Sequence, residues 1–278
     1  MKRIAALLLS AICCFSGHCY GELIAYDGFD YTSVGNDLHG LSGGFGWTGS
    51  WTGNTIFDIA TGSLPDPNGW STTTGNRVYS PASGSNKDIH RMLASPIGMP
   101  GTSLYFSFLI RPEGTVGVGY SNGWMALLVS SLTNINNDLV IGRPGAVGGA
   151  GNDRWVLETA GGGSAAPTTI APISGTTVRL VVRADFAAGP DAFRLYVNPP
   201  SNGIEPFVPD ALKNNLDVGT VSRLFITGPG EFSFDELRVA TTYAEVIPEP
   251  STLVLGGVGM VVIGLAAWRR RFAISHQI

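Results

Sequence analysis

Cysteine is nearly absent from this chain, and its few copies all lie close to the N-terminus. Cys13, Cys14 and Cys19 fall within the first 21 residues, and the rest of the chain carries none. No disulfide can therefore stabilise the body of the protein, which must depend on its own hydrophobic core. The body is long enough to build such a core in a single domain.

Charged residues and histidines are also sparse. Once Lys2, Arg3 and the three arginines at 269–271 are set aside, 12 basic residues face 21 acidic ones, a balance of −9. The basic residues are scattered singly, so the sequence predicts no nucleic-acid partner. Of the four histidines, only His39 and His90 lie in the body of the protein. Catalytic triads and histidine-rich metal sites are therefore not expected.

Long helical periodicity is missing, and short alternating segments take its place. In SLYFSFLIR (103–111), Leu104, Phe106, Phe108 and Ile110 fall on one face of a predicted strand. Many such segments are joined by Gly, Pro and Asn turns without a βαβ rhythm. The sequence therefore predicts an all-β fold, an antiparallel β-sandwich of the jelly-roll kind.

Local patterns predict three details of this sandwich. TVRLVVRADF (177–186) and AFRLYVNPP (192–200) flank the turn AGPD and predict a β-hairpin. In the last strand, Phe232–Ala240, the alternation of apolar and polar residues shifts by one position between Phe234 and Leu237. This shift predicts a bulge near Asp235. One short helix is predicted near Pro209–Asn215.

The N-terminus has the layout of a secretory signal peptide. Lys2 and Arg3 form a basic start, Ile4–Phe15 is apolar, and small or polar residues follow. Cleavage is predicted after Gly21, which makes residues 1–21 the leader and predicts that the protein is exported.

The C-terminus ends in an apolar run closed by arginines. Residues 251–268 carry no charge and would span about 27 Å as a helix, against a hydrocarbon core of about 30 Å. They predict a single transmembrane helix, with Arg269, Arg270 and Arg271 as its stop on the cytoplasmic side. The body would then lie on the far side of the inner membrane.

This tail is similar to the PEP-CTERM sorting signal, in which Pro248, Glu249 and Pro250 precede an apolar span and an arginine cluster. The resemblance implies an exosortase, a membrane-embedded cysteine enzyme, as a partner that removes or exchanges the apolar part. It also implies transient anchoring in the inner membrane, followed by display at the cell surface or release into an extracellular exopolysaccharide matrix. The prolines disfavour helix and would keep this segment extended and accessible.

The body resembles exported bacterial jelly-roll proteins of the concanavalin A-like or laminin G-like kind. The similar segments are LIAYDGFDYTSVGNDLHGLSGGFGWTGSW (23–51), LYVNP (195–199) and FSFDELRVATTYAEVIPEP (232–250). We therefore expect three parts, a leader at 1–21, a β-sandwich domain at 22–243 and a sorting signal at 244–278.

Aromatic residues in glycine-rich segments suggest carbohydrate or exopolysaccharide binding. Trp47, Trp51, Trp70 and Trp124 are the candidates, since a flat aromatic face can stack on a sugar while nearby polar groups bind its hydroxyls. Burial of these rings in the core is the alternative. In that case the protein would be a passive structural or protein-binding component of the envelope.

A calcium site is a further hypothesis. Asp27 and Asp30 lie in the first strand region, and Asp235 and Glu236 lie in the last. The first and last strands of a jelly roll commonly pair, which would bring these oxygen ligands together in the number that Ca²⁺ prefers.

A glycoside hydrolase on the same fold is the second alternative to carbohydrate binding. The segment EFSFDE offers Glu231, Asp235 and Glu236, whose spacing does not match the carboxylate pattern of laminarinase-like hydrolases. A Gly-x-Ser-x-Gly match around Ser42 is followed by FGWTGSWTG, which cannot form the helix that a nucleophile elbow requires. The sequence therefore predicts a protein that is not an enzyme.

Overall fold

A computed structural model of the chain describes residues 21–69, 75–116, 125–131, 137–143, 153–161 and 163–247. The described residues form fifteen β-strands and one short helix. The elements are β1 (Leu23–Asp27), β2 (Trp47–Gly53), β3 (Asp58–Thr61), β4 (Asn76–Ser80), β5 (Asp88–Ile97), β6 (Ser103–Pro112), β7 (Met125–Ser130), β8 (Leu139–Arg143), β9 (Val156–Thr159), β10 (Ala165–Pro167), β11 (Val178–Asp185), β12 (Asp191–Val197), β13 (Ala211–Leu216), β14 (Val221–Thr227), β15 (Phe232–Ala240) and α1 (Tyr243–Val246).

The strands form two antiparallel sheets that pack into a sandwich. Sheet A has the order β13-β12-β11-β6-β15-β4-β3, with β1 also paired to β15, and sheet B has the order β10-β9-β8-β7-β14-β5-β2. Strands that are far apart in sequence are neighbours in both sheets. The predicted all-β antiparallel sandwich is therefore confirmed.

The hydrophobic core lies between the two sheets. Leu104, Phe106, Phe108 and Ile110 of β6 are buried in it, on the face that their alternation predicts. The ring of Phe108 stacks on that of Phe234 with 4.8 Å between the centroids. Each such side chain stabilises the fold by about 1.5–3 kcal/mol on burial.

The hairpin and the bulge are confirmed, and the predicted helix is wrong. Strands β11 and β12 pair in a continuous register, and the register of β15 shifts between Asp235 and Arg238, where Glu236 has a φ of 54°. Residues 211–216 form strand β13 instead of a helix. Pairing with β12 gives β13 its hydrogen bonds, and this tertiary context outweighs a weak helical preference.

The chain leaves the sandwich across the outer face of sheet A, the face turned away from sheet B. Tyr243, Val246 and Ile247 are buried there in a small second cluster with side chains of β6, β11, β12 and β15. The packing of the body thus continues to Ile247.

Both predicted targeting segments lie almost wholly outside the described residues. Residues 1–20 contain nearly all of the leader, and residues 248–278 contain Pro-Glu-Pro, the predicted transmembrane helix and the arginine cluster. Among the described residues, no helix has the length and apolar character needed to cross a membrane.

Candidate functional site

The tryptophans expected to contact sugar have different environments. Trp51 is fully buried, and its Nε1 donates to Asp27 Oδ2 at 3.0 Å, so it has no free face and the expectation for this residue is corrected. Trp47 is half-buried, and its Nε1 donates to the Tyr26 carbonyl at 3.0 Å. Trp70 and Trp124 lie outside the described residues.

The first two predicted calcium ligands, Asp27 and Asp30, line the same cavity of about 350 Å³. The first and last strands do pair, with Asp27 opposite Leu237. However, Asp27 is buried and its carboxylate accepts hydrogen bonds from Arg91 at 2.8 Å and from the Tyr31 hydroxyl at 2.7 Å. Asp30 is exposed. Protein groups thus already occupy the Asp27 oxygens.

The other two predicted ligands are also bound by protein groups. Asp235 accepts from the backbone N–H of Leu64 at 2.9 Å and from that of Glu236 at 2.8 Å. Burial raises the pKa of Asp235 to about 8, which disfavours the charged form that a cation needs. Glu236 accepts from the Tyr26 hydroxyl at 3.1 Å and from Arg238 at 2.9 Å.

The four carboxylates therefore do not form the predicted site. Within the described part of the chain, no three His, Cys, Asp or Glu side chains are placed to hold a metal ion. The pairing of the first and last strands was predicted correctly, but protein hydrogen bonds already bind the carboxylates of Asp27, Asp235 and Glu236.

A different set of residues comes together on the outer face of sheet B, the face turned away from sheet A. Leu224 and Ile226 of β14 point into the core, so Phe225 between them points outward. The strand register places His90 on one side of Phe225 and Leu128 on the other. This row crosses three adjacent strands and places an aromatic ring on the outward side of the sheet.

A second, polar row runs beside the first. Arg223 lies opposite Ser130 in the register, and its Nε donates to Ser130 Oγ at 3.3 Å. Asp138, just before β8, also hydrogen-bonds Ser130. The guanidinium of Arg223 lies 4.6 Å from the centre of the Phe225 ring, and the His90 ring lies 4.9 Å from that centre. Both nitrogen-bearing groups thus lie close to the aromatic ring.

These rows form the floor of a cavity with a volume of about 450 Å³. That volume is within the range of small-molecule sites. The residues that line it are Asn86, Asp88, His90, Leu128, Asp138, Gly161, Arg223, Phe225 and Thr227.

Burial shifts the titration of the groups in this cavity. It lowers the pKa of His90, and the nearby Arg223 lowers it further, so the imidazole is neutral at neutral pH. Burial raises the pKa of Asp138. Within the described residues, His90 Nδ1 and Asp138 Oδ1 are buried without a hydrogen-bond partner. Two polar atoms of the cavity residues thus remain unsatisfied by the protein.

The sequence reasoning missed this cavity. One signal was available in the segment Arg223–Thr227. Its alternation assigns Phe225 to the solvent side of a strand, where a large aromatic side chain is unusual. The partners of Phe225 come from residues more than ninety positions away in sequence, such as Leu128 and His90, so no local pattern links them.

Comparison with known families identifies the tail. Residues 246–271 match the family described as "PEP-CTERM protein-sorting motif". The chain carries a PEP-CTERM sorting motif. The predicted resemblance of this segment is confirmed, and the PEP-CTERM motif indicates export, membrane-associated sorting and processing by an exosortase. The matched motif covers only the end of the chain, so it does not indicate the role of the β-sandwich.

Several solved structures show distant similarity to the chain. The "T. cruzi calreticulin globular domain" has a TM-score of 0.48 at 12% identity, covering 92% of this chain and 100% of that one. An endo-1,3-β-glucanase from Streptomyces sioyaensis has a TM-score of 0.47 at 12% identity, covering 81% and 98%. The lectin UEA-II complexed with galactose has a TM-score of 0.42 at 12% identity, covering 74% and 97%. No curated protein matches the sequence.

Proposed function

We propose that the exported β-sandwich binds carbohydrate of the extracellular matrix in the cavity on the outer face of sheet B. The observation that carries this proposal is the grouping of Phe225, Arg223 and His90 on the cavity floor, with the guanidinium 4.6 Å and the imidazole ring 4.9 Å from the Phe225 centroid. A sugar ring offers apolar C–H faces and a rim of hydroxyls. It therefore needs apolar surface and hydrogen-bonding groups side by side, as this floor provides.

The polar groups of the cavity have the capacities that sugar hydroxyls require. Arg223 supplies several N–H donors, and the carboxyl of Asp138 supplies an oxygen that the protein leaves unbound. Neutral His90 can donate from one ring nitrogen and accept at the other. Because the sorting motif directs the protein out of the cell, exopolysaccharide is the class of polymer that this cavity would meet.

We propose binding rather than hydrolysis. The two carboxylates that line the cavity are those of Asp88 and Asp138, which lie on β5 and next to β8. These strands are three strand spacings apart, or about 14 Å at 4.8 Å per spacing. The carboxyl groups of glycosidases lie about 5–9.5 Å apart. The two strand backbones thus lie farther apart than the carboxyl groups of a catalytic pair, which supports a binding role.

Calorimetry on the full-length chain in mild detergent tests this function. One probe is a soluble β-1,3-glucan, titrated with calcium present and again after addition of a chelator. The other is alginate, titrated only with chelator because Ca²⁺ cross-links this polymer. We expect saturable binding that weakens about tenfold in Phe225→Ala and in Arg223→Ala, a loss of about 1.4 kcal/mol. The matched control is Ile173→Ala, which removes an exposed apolar side chain away from the cavity.

Three other outcomes would overturn the proposal. If neither polysaccharide binds, the passive structural or protein-binding role is favoured. If both cavity variants bind as tightly as Ile173→Ala, the sugar lies elsewhere on the protein. Release of new reducing ends during the titration would establish the hydrolase alternative. Loss of binding only with chelator would indicate a calcium requirement that the described residues do not explain.

A further inference from the structure

The loop between β12 and β13 exposes an unusual amount of apolar surface. Phe207 is 100% exposed, Val208 is 73% exposed and Ile204 is 68% exposed. A cluster of large apolar side chains this exposed marks a surface that contacts a partner or a membrane more often than plain solvent.

The carboxylate of Glu205 helps to hold this loop against the outer face of sheet A. Glu205 accepts hydrogen bonds from the hydroxyls of Tyr105 at 2.7 Å and Tyr196 at 2.6 Å. It also pairs with Arg183 at 2.9 Å. The exposed apolar side chains on either side of Glu205 are thus carried on a backbone fixed to the sheet.

The same tyrosines hold the end of the body. The ring of Tyr243 packs edge-to-face on Tyr105 at 6.1 Å and on Tyr196 at 6.3 Å. Its hydroxyl donates to the carbonyl of Pro200, in the apolar loop, at 3.4 Å. The loop and the exit of the chain therefore lie together on the outer face of sheet A.

The connection from this exit to the apolar run is short. Ile247 is fully buried in the cluster around Tyr243, and the charge-free run begins at Ser251. Four residue steps separate the two, and they span at most about 14 Å even when fully extended. While Ile247 stays docked, an anchored tail keeps this face of the body within about 14 Å of the start of the apolar run.

We propose that, in the anchored precursor, the loop at 204–208 docks on the bilayer and inserts Ile204, Phe207 and Val208 into its interfacial region. Apolar side chains at such a surface bury about 5–10 Å into the boundary between headgroups and acyl chains. The outer face of sheet A would then face the membrane. The cavity on sheet B would face away from it, open to the extracellular side.

This arrangement has a consequence for sorting. A membrane-spanning helix anchors a protein almost irreversibly, whereas one modest apolar insertion alone gives only reversible binding. The apolar run and the loop act together in the precursor. When processing removes the run, the three side chains alone would no longer retain the body, which would then leave the membrane.

Site-specific labelling of the precursor tests this docking. All three native cysteines lie in the leader, so the leader-free chain accepts a single new cysteine without background. Phe207→Cys carries an environment-sensitive nitrobenzoxadiazole dye, and Val208→Cys serves as a second labelled site. The matched control is Thr52→Cys. Thr52 is an exposed residue of β2 that pairs with His90 in sheet B.

Each labelled chain, with its tail intact, is reconstituted in phosphatidylethanolamine/phosphatidylglycerol vesicles that contain doxyl-labelled lipid. We expect blue-shifted emission and quenching by doxyl lipid at 207 and 208, and neither change at 52. Equal, unshifted emission at all three sites would overturn the proposal. A blue shift at 207 without doxyl quenching would also overturn it, because the loop would then be buried against protein, such as a second copy. The outcome is independent of polysaccharide binding, which is measured on the other sheet.

Discussion

Arg91 donates to Asp27 Oδ2 at 2.8 Å, and both side chains are almost completely buried inside the sandwich. The same guanidinium also donates to the carbonyls of Gly43 and Gly49. One buried cation thus ties the first strand, the glycine-rich segment after it and strand β5 together. This role explains why Asp27, a plausible calcium ligand from sequence, is a structural residue.

Removing Asp27 should be strongly destabilising. Asp27→Ala leaves the charge of Arg91 buried without its partner, which should cost about 3–5 kcal/mol of unfolding free energy. Urea unfolding of the purified protein measures the loss. The control is Asp30→Ala, which removes an exposed carboxylate three residues away and should change stability by about 0.5 kcal/mol or less. Similar losses in both variants would contradict the structural role.

Asp235 should make the protein less stable as pH rises. Burial raises its pKa in the folded state from 3.8 to about 8, so its contribution is complete below about pH 4 and is lost as pH rises toward 8. The loss is steepest at about 1.4 kcal/mol per pH unit. Unfolding curves of the wild-type protein and Asp235→Asn across this range measure it.

The informative quantity in this experiment is the slope of the unfolding free energy against pH. Asp235→Asn also perturbs the hydrogen bonds from Leu64 and Glu236, so its absolute stability can differ from that of the wild type. We expect the variant to have the flatter dependence. Parallel curves for the two proteins would show that Asp235 does not titrate in this interval.

His90 should make the protein less stable as pH falls, the opposite of the effect of Asp235. Its pKa is lowered by burial and by Arg223, so the folded state favours the neutral imidazole. Its contribution is therefore complete above the ordinary histidine pKa of about 6.5 and is lost as pH falls below that value. His90→Gln removes the titration, and thermal unfolding in mildly acidic buffer should show a smaller loss for the variant than for the wild type. If the variant loses as much, His90 is not the source of the effect.

Alanine substitutions at two nearby glycines should distinguish the cost of backbone strain from the cost of a steric clash. Gly46 and Gly49 both have positive φ, at 82° and 72°. A Cβ at Gly46 would lie 2.1 Å from the Ile24 carbonyl oxygen, whereas one at Gly49 would meet nothing within 4 Å. Gly49→Ala should cost about 1–2 kcal/mol from its backbone conformation alone, and Gly46→Ala should cost clearly more. Chemical denaturation of both variants tests the order, and equal losses would contradict the close approach of β1.

Local sequence determined a large part of this protein. Three predicted features involve residues close together in the chain, and the structure confirms each of them. They are the alternation in β6, the hairpin of β11 and β12, and the bulge near Asp235. The sorting motif was also readable, because its three features follow one another within one short segment. These features depend on short-range geometry, for which a few consecutive residues suffice.

Only the tertiary structure decided which side chains meet. Trp51 is buried and bonded to Asp27, and residues near Pro209 form an edge strand, because partners distant in sequence outweigh local preference. The cavity around Phe225 likewise needs three strands whose order in sheet B differs from their order along the chain. Alternation assigns each residue to a face of its strand, but strand order and register determine its neighbours, and these come from packing the whole core at once.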